Sequence, residues 1–347
     1  MCGSVSEPSA WAPTLHTNPM RVIFFGTSAF AVPSLEQLVA HHHIVAMCVT
    51  QPDRPQGRGL ACEPSPVKQV ALRFGLPLSQ PERVRLDLCD SLQVDVGVVA
   101  AYGQLIPDDV LKKPPHGMLG VHPSLLPKYR GASPVAWALL NGETTTGVTI
   151  FRLNERLDAG ELIVQQSVAI EPTEHAETLT NRLAQLGAQQ LVRALELLHT
   201  GRAMFTPQEE SQATFAPKFT KAQGRIDWHQ PAAVIARLVR ATVPWPGAMT
   251  AWKGEALKIW SVSLPETSTA VSGAAPGTIV HVGSDGVTVA TGTGALCLHE
   301  VQAAGRRRMT IKEFLAGHPM RVGERFGGDR RQETRDGGTT TRERSET

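Results

Sequence analysis

Two residues in one segment carry side chains suited to moving protons. In GVHPSLLPKYRGASPVAWALLNGETTTGVTIFRLNERLDAGEL, from Gly120 to Leu162, His122 ends one β-branched run and Asp158 lies in a glycine-containing loop after the next. An imidazole titrates near neutral pH and serves as acid or base. A carboxylate beside it orients the ring and favours its protonated form, as acid–base or oxyanion chemistry requires. In an open parallel sheet both positions fall at the carboxyl edge, where ligands bind. The residue types alone equally allow a satisfied strand-end histidine and an Asx turn before Ala159 and Gly160. No G-x-S-x-G elbow, P-loop or H-E-x-x-H motif is present.

The elements that must position this pair are legible as patterns. RVIFFG, from Arg21 to Gly26, leads into VPSLEQLVAHHH, followed by IVAMCVT, SPVKQVALRFG, VDVGVVAAYG, MLGVH and GVTIFRLN. Continuous apolar strands alternating with helices predict a parallel sheet covered on both faces. An amphipathic helix from about residue 177 to 200 closes this half, stopped at Gly201. MFTPQEESQATFAPKFT then reads as a linker. ALKIWSV, GTIVHVG, GVTVATG and ALCLHEVQ beyond it are short, turn-punctuated strands that predict a small β-barrel or sandwich. The expected organisation is a leader over 1–19, a first domain over 20–207, a second over 208–328 and a tail over 329–347.

The chain has 347 residues, 41% apolar and 19% charged, which excludes collagen-like and membrane-embedded classes. Five cysteines without C-x-x-C spacing argue against a disulfide framework or a zinc site. No apolar run approaches bilayer length, and the leader lacks the cationic and apolar regions of a secretory signal, so a cytoplasmic location and no membrane are expected. Residues 208–328 carry 13 basic against 9 acidic groups, including Arg306, Arg307 and Arg308, a balance compatible with a phosphate-rich partner. His41, His42 and His43 read as exposed turn residues, and no metal is expected. Cys62, in a basic loop, reads as incidental.

GVHPSLLPKYRGASPV resembles the active-site signature of the 10-formyltetrahydrofolate-dependent formyltransferases. FFGTSAFAVPSL, TQPDRPQGRGLACEPSPVK, VVAAYGQLIP, LDAGEL, APKFTKAQGRIDW, PWPGAMT and LHEVQAAGRRRMTIKEFLAG are similar, in order, to further blocks of the branch of that family acting on methionyl-tRNA. The resemblance runs from Met20 to about Gly327. It implies a Rossmann-like α/β formyltransferase domain followed by a smaller OB-like β-barrel domain. It also implies formyl transfer from 10-formyltetrahydrofolate, a co-substrate, to the α-amino group of methionyl-initiator-tRNA. His122 and Asp158 correspond to catalytic residues, and Ser124, Leu125, Leu126 and Pro127 to a folate-binding run. Ala101, Tyr102 and Gly103, in the AYGQLIP loop, would line a flat pterin pocket. The family pattern has asparagine two residues before the histidine, where this chain has Gly120. Loss of one oxyanion donor typically costs about 100- to 1,000-fold in turnover. Water beside Gly120 or the side chain of Asn154 would compensate; otherwise the chain is a weak or silent tRNA- or folate-binding relative. We expect compensation.

For the nucleic acid, the resemblance implies that the loop Gln51–Lys68 approaches the acceptor end of the tRNA, making Arg54 and Arg58 candidate contacts. The Arg306–Arg308 cluster would grip the tRNA backbone, with affinity falling as salt rises. Trp245, in the PWPG turn, is expected to sit between the domains. A formyltransferase for a small sugar or nucleotide amine is disfavoured, because a small acceptor needs no extended cationic surface. A monomer is expected.

Overall fold

The computed structural model describes residues 19–56, 61–86, 92–265 and 273–327. Arg58, Cys2, Cys89, the tail and residues 1–18 of the leader lie outside the described residues, as does the side chain of Cys62.

Seven strands form the first sheet in the order β5-β2-β1-β6-β7-β8-β9: β1 (Arg21–Gly26), β2 (Ile44–Val49), β5 (Leu78–Ser79), β6 (Val96–Ala100), β7 (Met118–His122), β8 (Thr145–Arg152) and β9 (Leu162–Ala169). β3 (Arg54–Gln56) and β4 (Ala61–Glu63) form a separate hairpin. The five strands from β5 to β7 are parallel, and β8 and β9 are antiparallel. The expected parallel sheet is therefore a mixed one. Chain order reverses between β1 and β6, the switch point at which open α/β sheets admit ligands.

One face of the sheet carries Val22, Phe24, Val98, Leu119, Val121 and Ile150 into a core covered by helices. Chief among these is α5 (Ala176–His199), whose Leu179, Leu183, Leu191 and Leu195 repeat at helical spacing and are fully buried. Before it in the chain come α1 (Val32–Ala40), α2 (Pro66–Arg73), α3 (Asp108–Leu111) and α4 (Pro134–Asn141). The opposite face carries Ile23, Phe25 and Met118 into a smaller core with Tyr102 and Val110. Pleating puts Gly120 and His122 on that second face.

The expected linker is not a free connection. Thr206 exchanges two backbone hydrogen bonds with Leu162 of β9, and Arg130 and Ala216 are bonded backbone to backbone, so residues 206–216 are sewn onto the first domain. Beyond it, α6 (Ala232–Ala241) precedes an antiparallel sheet in the order β10-β11-β14-β13-β12, with β15 on β14. These strands are β10 (Ala248–Trp252), β11 (Glu255–Ser263), β12 (Ile279–Gly283), β13 (Gly286–Ala290), β14 (Ala295–Ala303) and β15 (Met309–Thr310). The helix α7 (Ile311–Gly317) follows, capped by Thr310 and Glu313. Residues 323–327 bridge the edges of the sheet: Ile279 N–H donates to Glu324, Phe326 N–H to Gly277 and Gly327 N–H to Ala251. The result is an OB-like barrel with its open edges joined.

Two local expectations are corrected. Trp245 is half exposed rather than seated between the domains; Trp137 of α4, against Phe219, supplies the aromatic contact beside that junction. His43 is buried, not an exposed turn residue, and its Nδ1 accepts from Met20 N–H at 3.2 Å.

Candidate active site

His122 is the last residue of β7 and its side chain is 8% exposed. Its Nε2 lies 2.9 Å from the carbonyl oxygen of Tyr129. A carbonyl only accepts, so this nitrogen carries the hydrogen and Nδ1 faces the other way. Tyr129 presents that carbonyl from a left-handed conformation, φ +62°. Its phenol donates to Glu143 at 2.8 Å and accepts from Asn141 at 3.2 Å, which fixes the residue from its far end.

Asp158 Oδ2 lies 3.7 Å from His122 Nδ1 and accepts from Gly131 N–H at 2.8 Å. The route by which the carboxylate arrives differs from the sequence expectation. Because β8 runs antiparallel, its end at Arg152 lies opposite Leu119, three residues before His122 on β7. The loop after β8 must double back over the second face of the sheet, and Asp158 sits in it at φ +48°. Gly160 makes this possible: a Cβ there would stand 1.6 Å from the carbonyl oxygen of Arg152. The loop is also held from outside, since Gln208 Nε2 donates to the carbonyls of Asp158 at 2.8 Å and Gly160 at 2.7 Å.

The space beside Gly120 is occupied by hydrocarbon. A Cβ built there would meet Phe151 Cε1 at 2.3 Å and Leu153 Cδ1 at 2.9 Å. Phe151 is buried and its ring stands edge-on to His122, 6.4 Å between centroids. Of the expected substitutes for the missing amide, Asn154 is exposed, its Oδ1 accepting from Arg156 N–H at 3.0 Å.

The proposed folate-binding residues divide by what their atoms already do. Ser124 is fully buried, its hydroxyl donating to the Lys128 carbonyl at 2.6 Å. Leu126 is buried, with its N–H on Thr149 Oγ1 and its carbonyl on Gln165 Nε2. These two shape the turn. Leu125 and Pro127 keep partly exposed side chains. Tyr102 turns its ring into the core against Phe25, and burial pushes its phenol up to about 12. Only its carbonyl faces the switch point, where it accepts from Thr27 Oγ1 and Gln51 Nε2. Ala101 and Gly103 are exposed, and Leu105, in the same loop, is 90% exposed. Sequence alone does not single out Thr27, Gln51 or Leu105, although Leu105 lies in the AYGQLIP loop and Gln51 opens the loop Gln51–Lys68.

Arg54 is exposed at the start of the β3–β4 hairpin, opposite Glu63. The base of this hairpin is anchored through Asp53, which pairs with Lys68 and accepts from Gln80 at 2.9 Å. Of the arginine cluster, Arg307 pairs with Glu313 at 2.8 Å and Arg308 pairs with Glu300 while lying over Trp260. Arg306 is exposed at the turn between β14 and β15. An open cleft of about 1340 Å³ in the second domain has Lys221, Arg225, Lys253 and Arg325 around Trp228 and Trp252. Among the described residues no cluster of three or more His, Cys, Asp or Glu is arranged to hold a metal, and no helix is long and apolar enough to cross a membrane.

Comparison with known proteins matches residues 20–195 to the family described as formyl transferase and residues 218–319 to the formyl transferase C-terminal domain. The methionyl-tRNA formyltransferase of Trichlorobacter lovleyi is 43% identical over 307 residues, 87% of this chain and 96% of that protein. That of Solibacter usitatus is 46% identical over 312 residues, 89% and 99% of the two chains. Among solved structures, the sugar 3N-formyl transferase WlaRD aligns over 84% of this chain and all of its own, with a TM-score of 0.63 at 16% identity. HypX from Aquifex aeolicus in complex with tetrahydrofolic acid aligns over 86% of this chain and 47% of its own, with a TM-score of 0.60 at 19% identity. These structures share the fold.

Proposed function

The chain belongs to the methionyl-tRNA formyltransferases of the formyl transferase family, and from that premise we infer that it moves the formyl group of 10-formyltetrahydrofolate onto the α-amino group of methionyl-initiator-tRNA, for the start of translation. The supporting observation is that methionyl-tRNA formyltransferases are 43% and 46% identical to it over both domains, whereas the sugar formyl transferase of the same fold is 16% identical.

The residues at the switch point fit a folate. The exposed apolar Leu105, with the partly exposed Leu125 and Pro127, suits a flat ring, and the exposed backbone of Ala101 and Gly103 can read its polar edge. The bound folate supplies a formyl carbon that the amine attacks through a tetrahedral oxyanion.

Around that carbon the chain has three tasks. An amine nucleophile must lose a proton, and Asp158 is the carboxylate placed to accept it. The oxyanion needs a donor, and with no side chain at Gly120 the nearest side-chain donor is the protonated ring of His122. Its Nε2–H is committed to Tyr129, so its Nδ1–H is the one available. The 3.7 Å between Nδ1 and the carboxylate exceeds a hydrogen bond, so a substrate atom can bridge them. The ring then returns a proton to the departing nitrogen. Arg54, with Arg58, is assigned to phosphates or the unpaired end of the tRNA, and Arg306–Arg308 to its backbone.

The test is transfer of labelled formyl from 10-formyltetrahydrofolate by the purified chain. Methionyl-initiator-tRNA should be formylated, and uncharged tRNA and small amines should not. Labelling of a sugar amine with the charged tRNA untouched would overturn the reading.

A further inference from the structure

Arg130 lies between the histidine and aspartate loops, its side chain 2% exposed. A guanidinium so buried must have its donors met. They are met from the interdomain segment. Nε and Nη2 donate to Gln208 Oε1 at 3.1 and 2.8 Å, and Nη1 and Nη2 reach the two oxygens of Glu210 at 3.1 and 2.9 Å. Gln208 uses its amide in both directions: the oxygen accepts from Arg130, and the nitrogen donates to the carbonyls of Asp158 and Gly160. Glu210 also pairs with Arg156 of the aspartate loop at 2.7 Å.

The histidine side is stitched to the same segment. Tyr129 N–H donates to Thr214 Oγ1 at 2.9 Å, and Arg130 N–H to the Thr214 carbonyl at 2.9 Å. Thus the residue whose carbonyl orients His122 and the loop that carries Asp158 meet through residues 208–214. The sheet does not supply this connection, because β7 and β8 deliver their following loops from opposite edges.

We propose that Gln208 is a positioning residue: locked by Arg130 and Glu210, it holds the backbone of Asp158 so that the carboxylate keeps its place beside His122 Nδ1. The inference rests on the catalytic reading of Asp158 above. It makes the segment joining the two domains part of the machinery that aligns the proton-transfer pair, and positioning of this kind governs turnover more than binding. The titratable group set against the carboxylate is His122; Arg130, Arg156 and Glu210 form one charged network, of which Arg130 binds Gln208, the neutral residue that touches the aspartate backbone.

Replacing Gln208 by glutamate separates the two roles of the amide. Gln208→Glu keeps an oxygen for Arg130 and removes the donor to Asp158 and Gly160. The expected result for the full-length chain is a fall in kcat of about 100-fold, with KM for folate and for methionyl-tRNA little changed. The imidazole NMR signals of His122 and their pH titration, measured without substrates, should move from those of the wild type. Gln208→Met, of similar volume, loses the oxygen for Arg130 as well as the donor and should lose at least as much kcat; wild-type kcat in it would overturn the proposal where the glutamate variant does not fold. Wild-type kcat and an unmoved His122 titration in Gln208→Glu would reduce the amide to a structural partner of Arg130 and overturn the proposal. A wild-type chain that transfers no formyl group would defeat the functional reading while leaving the NMR comparison to judge the positioning.

Discussion

Phe151 stands where a side chain at residue 120 would have to go. The two residues face each other across β7 and β8, and the edge of the phenylalanine ring comes within 2.3 Å of the Cβ that Gly120 lacks. Glycine and a large ring share one volume, and the ring abuts His122.

Gly120→Asn alone should therefore lower stability, by about 1–3 kcal/mol for an overfilled core, and should not raise turnover. Paired with Phe151→Leu, the asparagine gains room, and single-turnover formylation should exceed that of either single variant. Denaturant unfolding and rapid-quench transfer measure the two effects.

Asp158→Asn keeps an oxygen for Gly131 N–H, so the fold should survive. Without the carboxylate the amine proton has no acceptor, and kcat should drop about 100- to 10,000-fold. Unchanged turnover in a correctly folded variant would remove Asp158 from the chemistry.

All three arginines of the cluster are exposed, and among the described residues Arg306 lacks a carboxylate pairing like those of Arg307 with Glu313 and Arg308 with Glu300. Arg306→Ala should lessen the steepness of tRNA affinity against salt by about one unit of slope. Glu300→Gln, which frees Arg308, should tighten binding at low salt. Filter binding across a salt series reads both.

Burial, reinforced by His41 and His199, pulls the His43 imidazole below its ordinary value. The folded state therefore resists a proton that the unfolded chain accepts once pH falls below about 6.5. Stability from this group is complete above that pH and declines beneath it. His43→Asn, whose side-chain oxygen can still take the Met20 N–H, should show a flatter melting temperature between about pH 7 and about pH 5.

The alternation of apolar strands with helical patterns, the leucines of α5, and the short strands of the barrel were all readable because each rests on local periodicity. His122, Asp158 and the anomaly at Gly120 were visible as residue types within a recognisable segment. The direction of β8 was not, since a buried strand has the same apolar run whichever way it points. That direction sends the aspartate loop back across the sheet, which the missing Cβ of Gly160 permits and the distant Gln208 and Glu210 help secure. Phe151 and the segment around residue 208 read as an ordinary core residue and a polar linker. Their roles come from contacts between residues 31 and 80 positions apart, and such pairings are created by the folded chain, where side chains far apart in sequence compete for one volume or satisfy one buried charge.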